Sequence, residues 1–282
     1  MTLRRRYGWL GILLGGAAVF ELIRQALIQT QNPNFIPALL LIGAAVVPSA
    51  FVTFWWGRRL AADVSAGLLV SCAVVGGAIG VVLAGVLEYD TLRGLKTLPM
   101  VGVGLIEEAS KLVVPLLLLL IFLRRSTPAT GLLVGVASGA GFAALETMGY
   151  AFVTLVASGG DLAAVDGVLL VRGLMSPAAH MAWTGLTAAA LWGAAADRWH
   201  HRGLLTLAAT FGVVVALHAT WDSIGTTPAY IVLAAFSLVL LFVYAWWIGR
   251  HDRVLRPNRP VALGGQPVGD AALRTPDAQT SP

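Results

Sequence analysis

Apolar residues recur along this chain in long runs, and the polar positions that interrupt those runs are few enough to count. Eight runs stand out, at about 9–28, 35–56, 65–87, 100–123, 131–157, 174–196, 203–223 and 229–249. Each approaches the roughly 20 residues a helix needs to cross a hydrocarbon core about 30 Å thick. Lipid offers backbone N–H and C=O groups no partners, so the predicted elements are helices. The expected fold class is all-α, a polytopic membrane helical bundle of about eight spans over residues 1–255. Residues 256–282 are rich in Pro, Gly, Ala and Thr without periodicity and read as a disordered cytoplasmic tail.

Composition agrees. The 282 residues are 57% hydrophobic and 12% charged, with a mean hydropathy of +0.80; a soluble domain would be about 25% charged. The single cysteine, Cys72, lies inside an apolar run, which excludes an intrachain disulfide and a Cys-based metal site. Arg4-Arg5-Arg6 before an apolar stretch has the look of a signal sequence, but a small-residue cleavage site is missing. It reads as a retained first span.

The formal charge of +5 would suit nucleic acid, yet the distribution of the basic residues assigns them to a membrane. Of 19 Lys and Arg, fourteen fall in the two termini and in the connections on the N-terminal side of the bundle, from Arg4 to Arg274. The opposite connections hold three, Arg93, Lys96 and Arg172. Basic residues mark cytoplasmic loops, so both termini are expected inside and the loops near 30, 92, 162 and 226 outside. Trp9, Trp55, Trp56, Trp199, Trp246 and Trp247 fall at the inner boundary, as an aromatic belt would. The expected partner is the lipid bilayer, with no nucleic acid.

The polar residues inside the spans carry the chemistry. The fourth span holds Glu107, Glu108 and Lys111, which share one helical face at spacings of three and four. Three charges at mid-membrane risk roughly 8–10 kcal/mol if unpaired. Pairing with Lys111 still leaves one carboxylate over, which packing alone explains poorly. Pro115 cannot donate to the Lys111 carbonyl, so a kink is expected just past the motif. The fifth span has Gly131, Gly135 and Gly139 at spacings of four, and Gly135 and Gly139 lie on nearly the same face as Glu146, turning that carboxylate into the bundle. The sixth span opens on Ser176-Pro177, an expected N-cap and first-turn proline, and continues to His180, Thr184 and Thr187. The seventh ends with His218 and Asp222 one turn apart, where Asp222 can orient the imidazole. Trp183 and Trp221 each follow a histidine by three residues, far from the inner belt. In spans one to three the notable charges are Glu21 and Arg24, an expected local pair.

Depth ties these positions together. At 1.5 Å per residue, Glu107, Glu108, Glu146, His180 and His218 all lie roughly 8–17 Å below the outer boundary. Four helices thus deliver ionisable groups to one layer, and one site is the expected reading. Such a set can activate water with a carboxylate or a metal and use histidine for the leaving amine or the oxyanion. The expected metal set is Glu146, His180 and His218, a His2Glu arrangement of the kind that holds catalytic zinc. Glu107 or Glu108 is then the expected base, and Lys111 keeps one of the two ionised.

These motifs resemble the PrsW family of bacterial intramembrane proteases, related to the CAAX-protease-like superfamily. Glu107-Glu108-x-x-Lys111 is similar to its EExxK, Phe142-x-x-x-Glu146 to its FxxxE, His180 to the histidine of the following helix, and His218-x-x-x-Asp222 to its last motif. The likeness covers roughly residues 100–225, which would be the protease core. Thr147 departs from it, standing where Asn is expected. The resemblance implies cleavage of a peptide bond in or near the transmembrane segment of a single-pass protein, such as an anti-sigma factor, in a bacterial inner or plasma membrane. Family members have been classed both as metalloproteases and as glutamic-type enzymes. From another class, a proton- or ion-coupled transporter could use the same Glu/Lys/His cluster.

Overall fold

The structure is a computed structural model describing residues 3–255, other than 59, 62, 63, 98 and 122–126. The expected tail at 256–282 lies outside the described residues. Among those described there are helices and no strand: α1 (Leu3–Thr30), α2 (Ile36–Gly57), α3 (Ala66–Ser71), α4 (Gly77–Leu95), α5 (Met100–Lys111), α6 (Val113–Ile121), α7 (Pro128–Ala157), α8 (Leu162–Met175), α9 (Ala182–Ala196), α10 (His201–Ser223) and α11 (Thr227–Leu255). A π-helical turn, Cys72–Gly76, joins α3 to α4, and another, Pro177–Met181, joins α8 to α9. Among the described residues, seven helical stretches are long and apolar enough to cross a membrane. The protein is a polytopic membrane helical bundle.

The expected fourth span is α5 with α6, and it breaks at Leu112. Pro115 has no N–H for the carbonyl of Lys111, and its ring crowds that carbonyl. Ser138 of α7 supplies the missing donor, its Oγ donating to Lys111 O at 2.9 Å. The kink is thus stabilised by a neighbouring helix.

Helix α7 is the axis of the bundle. In its most apolar window 78% of residues are buried, against 6% for α1. The glycine stripe explains the close packing: a Cβ on Gly131 would meet the Ala188 carbonyl at 2.5 Å, and one on Gly139 the His180 carbonyl at 2.5 Å. Trp183 and Trp192 on α9 and Trp55 on α2 are almost wholly buried. Their indoles fill the volume that the small residues of α7 leave.

Three expectations need correction. The third span ends not near 87 but at Leu95, so position 92 is helical. The segment 158–173, read as a connection, contains α8, whose N-cap Asp161 accepts from Ala163 N and Ala164 N. Its charges misled, because Asp161 and Arg172 stand at the two ends of a helix where each complements the dipole. Ser176 is no N-cap: its backbone is helical and its Oγ donates to Arg172 O at 2.7 Å. Helical structure therefore runs from Leu162 to Ala196. It yields only around Ala179 (φ −105°, ψ −107°), where Pro177 withholds a donor and Met181 N reaches back to Ser176 O at 3.2 Å.

Arg24 makes its expected contact with Glu21 and has a second partner. Its Nε donates to Asp166 Oδ2 on α8 at 2.7 Å, while Glu21 lies 3.6 Å away on its own helix. The local pair is present, and the shorter contact to Asp166 joins α1 to α8.

Candidate active site

Lys111 is the centre of the site. Its side chain is fully buried, and Nζ donates to Glu108 Oε1 at 2.8 Å and to His180 Nδ1 at 2.8 Å, with Glu107 Oε2 at 3.0 Å. The ring of Phe142, on the FxxxE face of α7, lies 4.3 Å below the ammonium. One cation thus offsets two adjacent carboxylates, and the aromatic face occupies a side of it that no carboxylate covers.

With Lys111 donating to Nδ1, His180 is left with Nε2 toward Glu146, 3.0 Å from Oε2. The π-turn Pro177–Met181 carries His180, and Gly139 allows that turn to lie directly against α7. Glu146 has a second partner that sequence reasoning missed: Arg172 Nη2 stands 2.9 Å from the same Oε2. Arg172 was assigned to a loop, and only the helical pattern of α8 after Asp161 could have found it.

His218 approaches from α10, where Gly104 of α5 leaves room for its Cβ. Its Nδ1 lies 2.7 Å from Glu108 Oε1. Its Nε2 lies 3.3 Å from Asp222 Oδ2 and 3.6 Å from Glu107 Oε2. The tighter orienting contact is therefore made by Glu108 rather than the expected Asp222. Trp183 packs against both histidines, whose rings lie 5.8 Å apart, with its own ring 6.0 Å from His180 and 5.1 Å from His218, and donates Nε1 to Ser237 Oγ on α11 at 3.0 Å. Trp221 stacks edge-on against Trp183 and contacts Tyr230. Thr187, grouped by spacing with His180, instead donates to Trp183 O within its own helix.

The structure brings Glu107, Glu108, Lys111, Glu146, His180 and His218 into one contiguous cluster fed by α5, α7, the π-turn before α9, and α10. It also adds Glu88 of α4, within electrostatic range of Glu107 and Glu146, whose Oε1 is buried with no hydrogen-bond partner. Glu88 was missed because the third span was expected to stop one residue earlier.

The metal grouping differs from expectation. Among the described residues, Glu107, Glu146 and His180 each offer a ligand atom within 4.8 Å of the others. His218 is not in that group, although its Nε2 lies 3.6 Å from Glu107 Oε2. Glu107 Oε2 and Glu146 Oε2 are buried and carry no hydrogen bond beyond their ion-pair contacts. Two carboxylates with spare lone pairs converge with an imidazole whose one lone pair is held by Lys111 here and which a divalent cation would take instead; these donor types fit such a cation.

Buried acid, base and imidazole groups around a point inside a membrane bundle suit an intramembrane endopeptidase. The comparisons with known proteins agree: the family model described as PrsW family intramembrane metalloprotease matches residues 38–248. The chain belongs to the PrsW family. Neither the curated proteins nor the solved structures give a match.

Proposed function

We propose that this endopeptidase cleaves a peptide bond in or near the transmembrane segment of a single-pass protein, an anti-sigma factor being the substrate that the family suggests. The observation that carries the reading is the meeting of Glu107, Glu146 and His180 within 4.8 Å. These three would hold a metal, zinc by the nature of the donors, which when bound polarises the peptide carbonyl and acidifies water. The family's description as metalloproteases supports the metal without naming it.

The chain's own groups then have separable tasks. Glu108, 1% exposed and paired to Lys111 and His218, is a poor base and a good anchor. It holds Nδ1 of His218 and so directs Nε2 toward the space beside Glu107 and Asp222. A proton leaving water can be held at that Nε2 and returned to the departing amine. Lys111 keeps Glu107, Glu108 and His180 in register. Placing both termini in the cytoplasm of a bacterial plasma membrane puts the cluster in the outer half of the bilayer, reachable from the exterior.

The test is cleavage of a tagged single-pass candidate in membranes by the wild type and by Glu107→Gln. Loss of cleavage in the variant is expected. Ion flux across proteoliposomes with no cleavage would instead favour a transporter.

A further inference from the structure

Helix α4 turns one narrow stripe toward the cluster. Gly77, Gly80, Ala84 and Glu88 recur at spacings of three and four, and so share a face. A Cβ on Gly77 would meet the backbone of Gly141 at 2.4 Å. One on Gly80 would meet the Phe142 ring at 3.0 Å and Lys111 Cα at 3.7 Å. Ala84 is buried. The stripe therefore lies against both α5 and α7. Glu88 is its last member, about 12 Å along the axis from the Gly80 contact.

Glu107 and Glu146 lie one turn past that same contact, four residues from Lys111 and from Phe142 respectively. Glu88 thus stands about one turn above both, toward the connection between α4 and α5. Side chains lean toward the N-terminus of their own helix. The two helices run in opposite directions, so Glu88 leans back over the triad while Glu107 leans up toward it. His218 reaches the same level from α10. A Cβ on Gly104, one turn above Glu107, would lie 3.3 Å from the His218 Cβ. Glu88 is within electrostatic range of Glu107, Glu146, Lys111 and His218.

What Glu88 lacks is a partner. Lys111 serves Glu107 and Glu108, and Arg172 serves Glu146; among the described residues no cation is in ion-pair contact with Glu88. The residue is half-buried, yet Oε1 is shut off from solvent and makes no hydrogen bond. Buried polar atoms nearly always have a partner, so a lone acceptor over the triad marks a place for a donor. Water is the donor the reaction brings there, and it has two hydrogens to place.

We propose that Glu88 is a further catalytic residue, whose Oε1 accepts one hydrogen of the attacking water while His218 Nε2 takes the other. Held from two sides, the water turns a lone pair toward the peptide carbonyl. The O–C bond forms and the C–N bond breaks. The proton taken by His218 goes to the departing amine, and the hydrogen on Glu88 stays with the new carboxyl group, so Glu88 ends as it began. The inference rests on the endopeptidase reading and adds to it a residue outside all four motifs.

The test is Glu88→Ala against wild type, with a tagged single-pass reporter in detergent micelles. The expected result is a fall in kcat of about 100-fold, the loss that follows when a reacting atom is no longer held in line. KM should stay within twofold and bound metal per chain should not change. Added formate, a small carboxylate that can enter the vacated place, should restore kcat at least tenfold. The unfolding midpoint should not fall, since the substitution removes an unpaired acid from an acidic cluster. A fall in kcat that formate does not restore, with a lower midpoint, would make Glu88 structural and overturn the proposal. Loss of metal would make it a ligand, a rise in KM alone would place it on the substrate, and an unchanged kcat would leave it idle; each overturns the proposal and leaves the protease reading intact. Absence of cleavage by wild type would overturn both.

Discussion

Ser138 donates its hydroxyl to the carbonyl of Lys111 at 2.9 Å, across two helices and 27 positions of sequence. The bond exists because Pro115 cannot serve that carbonyl. Ser138→Ala should therefore destabilise the protein by about 1–3 kcal/mol, the cost of a buried acceptor left unpaired. In a Pro115→Ala background, which restores an N–H at that position, the same substitution should cost measurably less. Denaturant unfolding in detergent micelles for the four proteins of the cycle reads the difference; equal costs in both backgrounds would refute the account of the kink.

Lys111→Met should be severe. It leaves Glu107 and Glu108 buried side by side and withdraws the donor from His180. Removing one partner from a buried ion pair typically costs about 3–5 kcal/mol. The variant is expected to lose cleavage and to unfold at clearly lower denaturant. Wild-type stability would show that the two glutamates find other compensation.

The metal grouping makes a prediction that separates the two histidines. His180→Ala and Glu146→Gln should lose bound metal together with cleavage. His218→Ala should lose cleavage while keeping metal, because His218 is not in the triad. Elemental analysis of the purified proteins decides the matter. Metal lost from His218→Ala would restore the His2Glu set that sequence spacing suggested.

Arg24 and Asp166 should be energetically coupled. Each is about a quarter to a third exposed in its side chain, and their contact is 2.7 Å. A double-mutant cycle with Arg24→Met and Asp166→Asn is expected to give a coupling of about 0.5–3 kcal/mol. Strict additivity would mean that α1 is held to α8 by apolar contact alone.

Topology can be checked by cysteine labelling in a Cys72→Ala background. Single cysteines at 31, 97, 160 and 225 occupy the four connections at the cluster's end of the bundle and should react from the exterior. Labelling there only after the inner face is opened would invert the proposed orientation.

The spans and the clustering of Glu107, Glu108, Lys111, Glu146, His180 and His218 were legible because an ionisable group in an apolar run has few places to go. Two helices cannot hide a carboxylate from lipid unless it faces a partner, so spacing and depth were enough. Arg172, Glu88 and the Arg24–Asp166 pair were not legible for the opposite reason. Glu88, Asp166 and Arg172 fall outside the expected spans, where a charge is equally at home in water, and spacing offered Arg24 only its neighbour Glu21. Which ring nitrogen of His218 takes the shorter contact was also out of reach. Spacing showed Asp222 one turn away but could not show Glu108 arriving from another helix at 2.7 Å.

The distances along the chain between Lys111, Glu108 and their partners matter during synthesis as well. Lys111 is made 69 residues before His180, and Glu108 is made 110 residues before His218. At about 5–20 residues per second, the second interval lasts roughly 6–22 s. For that time α5 carries two carboxylates and one cation with no histidine to complete them. A translocation channel that released each helix into lipid as it emerged would have to release this one incompletely neutralised. Residues 100–121 are thus expected to stay beside the insertion machinery, and to be the last of the first five spans to reach the bilayer.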